Sequence, residues 1–323
     1  QGHDHLSTPG VTERALAALD ALAAEDRPFF LFVHYFDPHY AYLAHPEFGF
    51  EPTRDPVLHG GEDIEELRAR RASFGPAQLD FLRARYDEEI RFTDAGVGRL
   101  LAGLEHAGVD DDTVVVITAD HGEEFMERGW IGHTRTLYQE LVSVPLLVRG
   151  RAGAPGHGQR VPRPVSLVSL APTILELAGV DAGGRAFEGP SLASFVAGGE
   201  PPPAGHVFAE VDFRGPVAKQ AKKKAVIGPR FKLIRDDRRG RVELYDLAND
   251  PHERRNLARG GTSPAVDALQ RELYDFTTRE LPPLGGASDE VPIDPELRER
   301  LRQLGYVEGE ATEAGDPPPA ESP

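Results

Sequence analysis

Residues 113–124 read TVVVITADHGEE, an apolar run, mostly β-branched, that delivers Asp120, His121, Gly122, Glu123 and Glu124 at its end. A short run without polar alternation suits a parallel strand covered on both faces. Ligands of such sheets gather outside the carboxyl ends of the strands, so chemistry is expected first after Ala119. A carboxylate beside an imidazole is a donor set for a divalent cation, and the following glycine permits a tight turn. The same residues also suit a helix cap with a surface histidine, and Glu123 and Glu124 suit a solvated first helical turn.

A second run, Phe29 to Val33, has the same character and delivers His34, Asp37 and His39. His34 reads as packing at the strand end, whereas His39 lies in the loop beyond, where it can face a substrate. His133 sits in a loop before Tyr138, and Val144 to Val148 reads as a third strand whose Pro145 suits an edge. Helical patterns alternate with these runs. Ser7-Thr8-Pro9 leads into Val11, Ala15, Leu16, Leu19 and Leu22. Pro76 opens the longest pattern, through Leu79, Leu82, Tyr86, Ile90, Val97, Leu101 and Leu104 to a terminating Gly108, and Ser169 to Ala178 forms another. Residues 37–75 read as a long loop. Alternation of this kind predicts an α/β architecture.

The remaining sequence bounds the function. A chain of 323 residues with 40% hydrophobic content can bury a sizeable core. Its 36 basic and 53 acidic side chains leave a formal charge of −17, which argues against a nucleic-acid binder. There is no cysteine, hence no thiolate metal site and no cysteine nucleophile. No apolar run approaches the roughly 18 residues of a membrane span. After Gly179 come Gly- and Pro-rich segments, then short strands at Val207 to Val211, Ala225 to Ile227, Phe231 to Ile234 and Val242 to Tyr245, and a helix near Val266 to Thr278. This pattern predicts a small antiparallel α+β module. Lys219, Lys222, Lys223 and Lys224 read as an exposed loop entering the strand at Ala225, and His3, His5, His59 and His157 carry no role. The expected organisation is an α/β part over 1–200, the small module over 201–307, and a disordered acidic, Pro-rich tail over 308–323.

Six segments occur in one order: PFFLFVHYFDPHYAY, YDEEIRFTDAGVGRLL, VVVITADHGEEF, GHTRTLYQELVSVPLLV, PVSLVSLAPTILELAGV and ELYDLANDPHERRNLA, with LRQLGY nearer the C-terminus. Together they resemble the sulfatase family of the alkaline phosphatase superfamily, in its bacterial branch. The resemblance implies an alkaline-phosphatase-like, predominantly parallel sheet between helices, incomplete at its N-terminal side, followed by the antiparallel module. It implies that Asp120 and His121 complete a divalent-metal site, that His39 contacts the sulfate oxygens, and that His133 contacts the ester or leaving group. Calcium is the family's usual metal. Imidazole at His121, where many members have asparagine, turns preference toward manganese or zinc.

The family's nucleophile, a formylglycine made from Cys or Ser in a Cys- or Ser-x-Pro-x-Arg segment, has no counterpart here, since Ser7-Thr8-Pro9-Gly10-Val11 lacks the arginine. The nucleophile and the first metal ligands are therefore expected upstream of Gln1, and the chain by itself is expected to be inactive. The implied activity is hydrolysis of a sulfate ester on a small molecule or glycan, in the periplasm, at the cell surface or outside the cell. A phosphodiesterase or phosphonate monoesterase is the nearest alternative, and a noncatalytic binding module the alternative from another class.

Overall fold

The computed structural model describes residues 7–25, 27–50, 55–152, 158–200, 205–213 and 221–279, which fall within one compact unit. The tail expected over 308–323, His3, His5, His157 and Lys219 lie outside the described residues. The first helix, α1 (Thr8–Ala23), is capped from a distance: Asp37 accepts hydrogen bonds from the Ser7 and Thr8 amides at 2.6 Å each. Asp37 is therefore committed to the helix end.

Residues 37–75, expected as loop, contain a second helix, α2 (Ile64–Arg70), whose Asp63 cap accepts from the Glu65 and Glu66 amides. Its Ile64 and Leu67 are buried with Tyr42 and Leu58 against Phe81 and Leu82 of the long helix α3 (Pro76–His106). The segment is thus part of a core. Its early part is pinned to α3 by two buried carboxylates: Glu88 accepts from the His45 and Phe50 amides, and Glu89 accepts from the Leu43 amide at 2.7 Å. Glu88 also pairs with Arg85 at 2.6 Å.

His45 Nε2 lies 2.9 Å from Glu89 Oε2, with both side chains buried. Burial raises the Glu89 carboxyl to about 8 and lowers His45, so the two share one proton as a neutral pair. Folded protein therefore keeps a proton that the unfolded chain releases near 4.5, and stability falls as pH rises through this window toward 8. The lowered His45 acts in the opposite sense below its ordinary 6.5 and offsets part of the loss there, so the interval from 6.5 to 8 carries the loss due to Glu89 alone. Raising the pH across that interval should cost about 2 kcal/mol, roughly 5 °C in Tm, and Glu89→Gln should flatten the dependence. Thermal unfolding of both proteins at the two pH values checks this.

Strand β1 (Val115–Thr118) follows α3, and the hairpin β2 (Glu124–Phe125) with β3 (Ile131–Gly132) returns its Phe125 and Ile131 to the same core as α2. After the short helix α4 (Gln139–Val142), β4 (Leu146–Arg149) pairs antiparallel with β1, Val116 facing Val148. Burial on both faces does not hold for these runs. Phe29 to Val33 is not a strand and pairs with none among the described residues; Phe30 and Phe32 are 72% and 77% exposed, and Leu147 of β4 is 56% exposed. Alternate residues of 29–33 are covered only on one side, so one face of this extended run and of β4 meets solvent.

Helices α5 (Leu170–Leu177) and α6 (Ala193–Val196) lead to a meander of β5 (Val207–Phe213), β6 (Ala221–Ile227), β7 (Phe231–Asp236) and β8 (Arg241–Asp246). Period-2 alternation sorts its two faces. Val226, Leu233 and Leu244 pack under α7 (Pro264–Thr278), while Ala225, Ile234 and Tyr245 pack against Leu137 of the segment leading into α4. The lysine run is a strand, not a loop: Lys222, Lys223 and Lys224 stand in β6 opposite Asp212, Val211 and Glu210 of β5. Opposite charges across the pair make a lysine-rich strand tolerable here, and Lys224 forms an ion pair with Glu210.

Candidate active site

Three separated segments bring their histidines together. The ring centroids of His121 and His133 are 4.1 Å apart, and those of His39 and His133 are 5.0 Å apart. Asp120 and His121 follow β1; His133 follows β3; His39 precedes Tyr40, whose ring stacks on His133 at 5.5 Å. His34 lies apart, exposed and beside the rings of Phe32 and Phe36.

Each imidazole is oriented by a backbone or carboxylate partner. His133 Nδ1 donates to Glu123 Oε1 at 3.0 Å, since a carboxylate can only accept; the other nitrogen, Nε2, is then the one available for chemistry. Both side chains are buried. Glu123, readable in the sequence as a solvated helix turn, is instead a positioning carboxylate. Tyr42, fully buried, has its hydroxyl raised well above the usual value by burial and then by Glu123. Thr134, directly after His133, has φ of +90°, a left-handed value that strains a β-branched residue. His121 Nδ1 lies 2.9 Å from the Gly122 carbonyl, and His39 Nδ1 lies 3.2 Å from the Tyr40 carbonyl, so both donate through Nδ1.

Asp120 Oδ1 accepts from the His121 amide at 2.9 Å, and its Oδ2 stands 3.8 Å from His121 Nε2. An exposed carboxylate oxygen and an imidazole nitrogen at that spacing fit one divalent cation by donor type. No group of three or more such side chains that could hold a metal occurs among the described residues, so these two alone would make only part of a coordination shell.

The turn at Gly122 is fixed by backbone contact. Its amide donates to the Leu141 carbonyl at 2.8 Å, and a Cβ on Gly122 would meet the Glu140 carbonyl oxygen at 2.1 Å. Gly122→Ala must displace α4 or the Asp120–His121 turn. We expect a loss of roughly 1–3 kcal/mol in urea unfolding, because the obstructing atom is backbone.

Glu124 departs from the surface reading as well. It is fully buried, accepts from Thr136 Oγ1 at 2.5 Å, and burial pushes its carboxyl up to about 7.

Below this turn lies a buried charged network. Lys232 Nζ of β7 pairs with Glu253 Oε1 at 2.9 Å, both side chains wholly buried, and donates to Gln139 Oε1 at 3.0 Å. Glu253 Oε2 accepts from the Gln139 amide at 2.7 Å at the start of α4. Arg128 donates to the carbonyls of His252 and Glu253 and reaches Glu140 at 3.3 Å. The C-terminal sheet thereby holds α4 in place beneath the Asp120–His121 turn.

A family model for sulfatases matches residues 5–180, and one described as the C-terminal part of N-sulphoglucosamine sulphohydrolase matches residues 126–279. The chain belongs to the sulfatase family. The multifunctional alkaline phosphatase superfamily protein PehA of Trinickia caryophylli is 30% identical over 301 residues, covering 81% of this chain and 56% of that protein. Arylsulfatase K of Danio rerio is 30% identical over 213 residues, covering 63% and 39%. The solved phosphonate monoester hydrolase of Silicibacter pomeroyi matches with a TM-score of 0.64 and 26% identity, over 84% of this chain and 59% of that one. The sulfatase-family chain thus spans about half the length of the curated relatives it matches. Its α/β fold with a C-terminal antiparallel sheet is alkaline-phosphatase-like, as the sequence predicts, but the predominantly parallel pairing expected of 113–119 and its neighbours is not found: every strand pair among the described residues is antiparallel, β1 with β4 included.

Proposed function

We propose that this chain is the later part of the catalytic domain, with its C-terminal module, of a metal-dependent hydrolase of sulfate esters. The observation that carries the reading is the meeting of His39, His121 and His133 from three separated segments, beside Asp120. The exposed Phe30 and Phe32 of the extended run and Leu147 of β4 support a longer domain, because apolar side chains of this size on extended segments are normally covered. On this reading the formylglycine nucleophile and the remaining metal ligands belong to the upstream part.

A sulfate ester gathers negative charge on its nonbridging and leaving oxygens as the ester bond breaks, and fixed donors stabilise that charge best when they need not reorganise. His39 would hold the sulfate oxygens. His133, oriented by Glu123, would present Nε2 to the leaving oxygen and give it a proton. Asp120 and His121 would hold the divalent ion, calcium by family habit or manganese or zinc by the imidazole donor, and the ion would supply positive charge at the nonbridging oxygens.

A second reading is supported by the match to a phosphonate monoester hydrolase. Sulfate monoesters and phosphonate monoesters both present a singly charged tetrahedral group, which a few imidazoles and one cation suit equally. Turnover of para-nitrophenyl sulfate against para-nitrophenyl phenylphosphonate by the full-length gene product separates the two: kcat/KM is expected to be higher for the sulfate, and the reverse order would establish the second reading.

A further inference from the structure

The consecutive residues Tyr138 to Leu141 stand between the C-terminal sheet and the turn that carries Asp120 and His121, and each is bonded toward one side or the other. The Tyr138 hydroxyl donates to Glu243 Oε2 of β8 at 2.6 Å. Gln139 is held twice: its side-chain oxygen accepts from Lys232 of β7 at 3.0 Å, and its amide donates to Glu253 Oε2 at 2.7 Å. Glu140 Oε1 lies 3.3 Å from Arg128. The same guanidinium donates to the His252 and Glu253 carbonyls at 2.7 and 2.8 Å and stands 4.1 Å from the centre of the Tyr138 ring. The Leu141 carbonyl faces the other way and accepts from the Gly122 amide at 2.8 Å.

This chain of contacts has little slack. The Glu140 carbonyl is so near Gly122 that a Cβ there would meet its oxygen at 2.1 Å. Leu141, Lys232 and Glu253 are all buried, and α4 (Gln139–Val142) is a single turn, too short to absorb a shift of its first residue before Leu141. Asp120, by contrast, has a side chain 75% exposed, so its place is set by the backbone of the turn rather than by packing. Donors to a metal must be held to within about 0.5 Å, and here the support reaches them from the C-terminal sheet.

We propose that the C-terminal module sets the affinity of the cation site: Glu243, Lys232, Glu253 and Arg128 are positioning residues that act through α4 on the turn presenting Asp120 and His121. This rests on the reading above, in which those two side chains hold a divalent ion. Groups that orient metal ligands without touching the metal are worth about ten-fold or more in affinity. The coupling is reciprocal, so a bound ion tightens the same contacts by the same factor.

Calorimetric titration of the ion-free full-length gene product with calcium, manganese and zinc reads this coupling without turnover. Arg128→Met should weaken the best-bound ion by roughly ten-fold, and Tyr138→Phe, which keeps the ring and removes one hydroxyl, by about three-fold. Leu269→Ala controls for stability alone. It opens the core beneath α7, on the opposite face of the same sheet, and should lower Tm while leaving the affinity within about two-fold. Hydrogen exchange gives a second readout: without ion, the Gly122 amide should exchange faster in Arg128→Met than in the parent protein. Affinities within about two-fold of the parent in both Arg128→Met and Tyr138→Phe would overturn the coupling, as would unchanged exchange at Gly122 or an equal loss of affinity in Leu269→Ala. A parent protein that binds none of the three ions would remove the metal reading and the coupling with it, whereas tight parent binding that the variants leave unchanged would remove the coupling alone.

Discussion

Replacing His133 by alanine should lower kcat of the full-length enzyme on an aryl sulfate by roughly 10²–10⁴-fold, the span of a general acid. The loss should grow as the leaving phenol becomes more basic, because a good leaving group needs no proton and a poor one does. The structure gives the reason for choosing this histidine. Its Nδ1 is committed to Glu123 at 3.0 Å, which fixes the ring and leaves Nε2 as the working atom. Glu123→Gln keeps the shape of the partner but removes its charge, and should cost less, about ten-fold. A His133→Ala loss that is uniform across leaving groups would assign the residue to substrate binding instead.

The second large effect concerns stability. Lys232→Met should destabilise the fold by about 3–5 kcal/mol, since it leaves the Glu253 carboxylate buried without its cation. The pair is closed on every side: Lys232 also holds Gln139, Glu253 also holds the Gln139 amide, and Glu253 itself sits at φ of +50°, a left-handed value that its partners must maintain. Burial lowers Lys232 and raises Glu253, and their mutual attraction opposes both shifts, as expected of a pair that is stable only together. The double variant Lys232→Met/Glu253→Gln should recover at least half of the loss in urea unfolding. Additive losses would mean that the two side chains act separately.

Periodicity made much of the fold legible. The apolar spacing of 76–104 gives α3 with Pro76 at its start, and the alternation in 231–234 and 242–245 gives β7 and β8 with both faces of their sheet. What periodicity missed has physical causes. In residues 37–75 the prolines and glycines outweighed a short signal, Asp63 followed by Ile64 and Leu67, which caps and buries α2. The run at 29–33 is apolar on both faces in sequence, yet burial depends on neighbours that only the three-dimensional structure supplies, and the described residues leave Phe30 and Phe32 exposed.

The candidate site divides in the same way. Asp120, His121 and His39 lie just beyond apolar runs, the place where strand-end logic looks, and the ordered motifs of the resemblance attached expected roles to them and to His133. Glu123 was visible as a residue but not as a partner, because its purpose is defined by a histidine ten residues later. Lys232 and Glu253 gave no local signal at all. A single lysine inside an apolar strand declares itself only when the carboxylate that neutralises it is seen beside it.

The proposed function requires Asp120 and His121 to hold a divalent ion at a site for ester hydrolysis. Its most direct test is para-nitrophenyl sulfate turnover by the full-length gene product, measured before chelation, after it, and after return of calcium, manganese or zinc, with His121→Ala alongside. Chelation should abolish turnover, one of these ions should restore it, and His121→Ala should be neither active nor rescued at the same ion concentration. Turnover that survives both chelation and His121→Ala would contradict it.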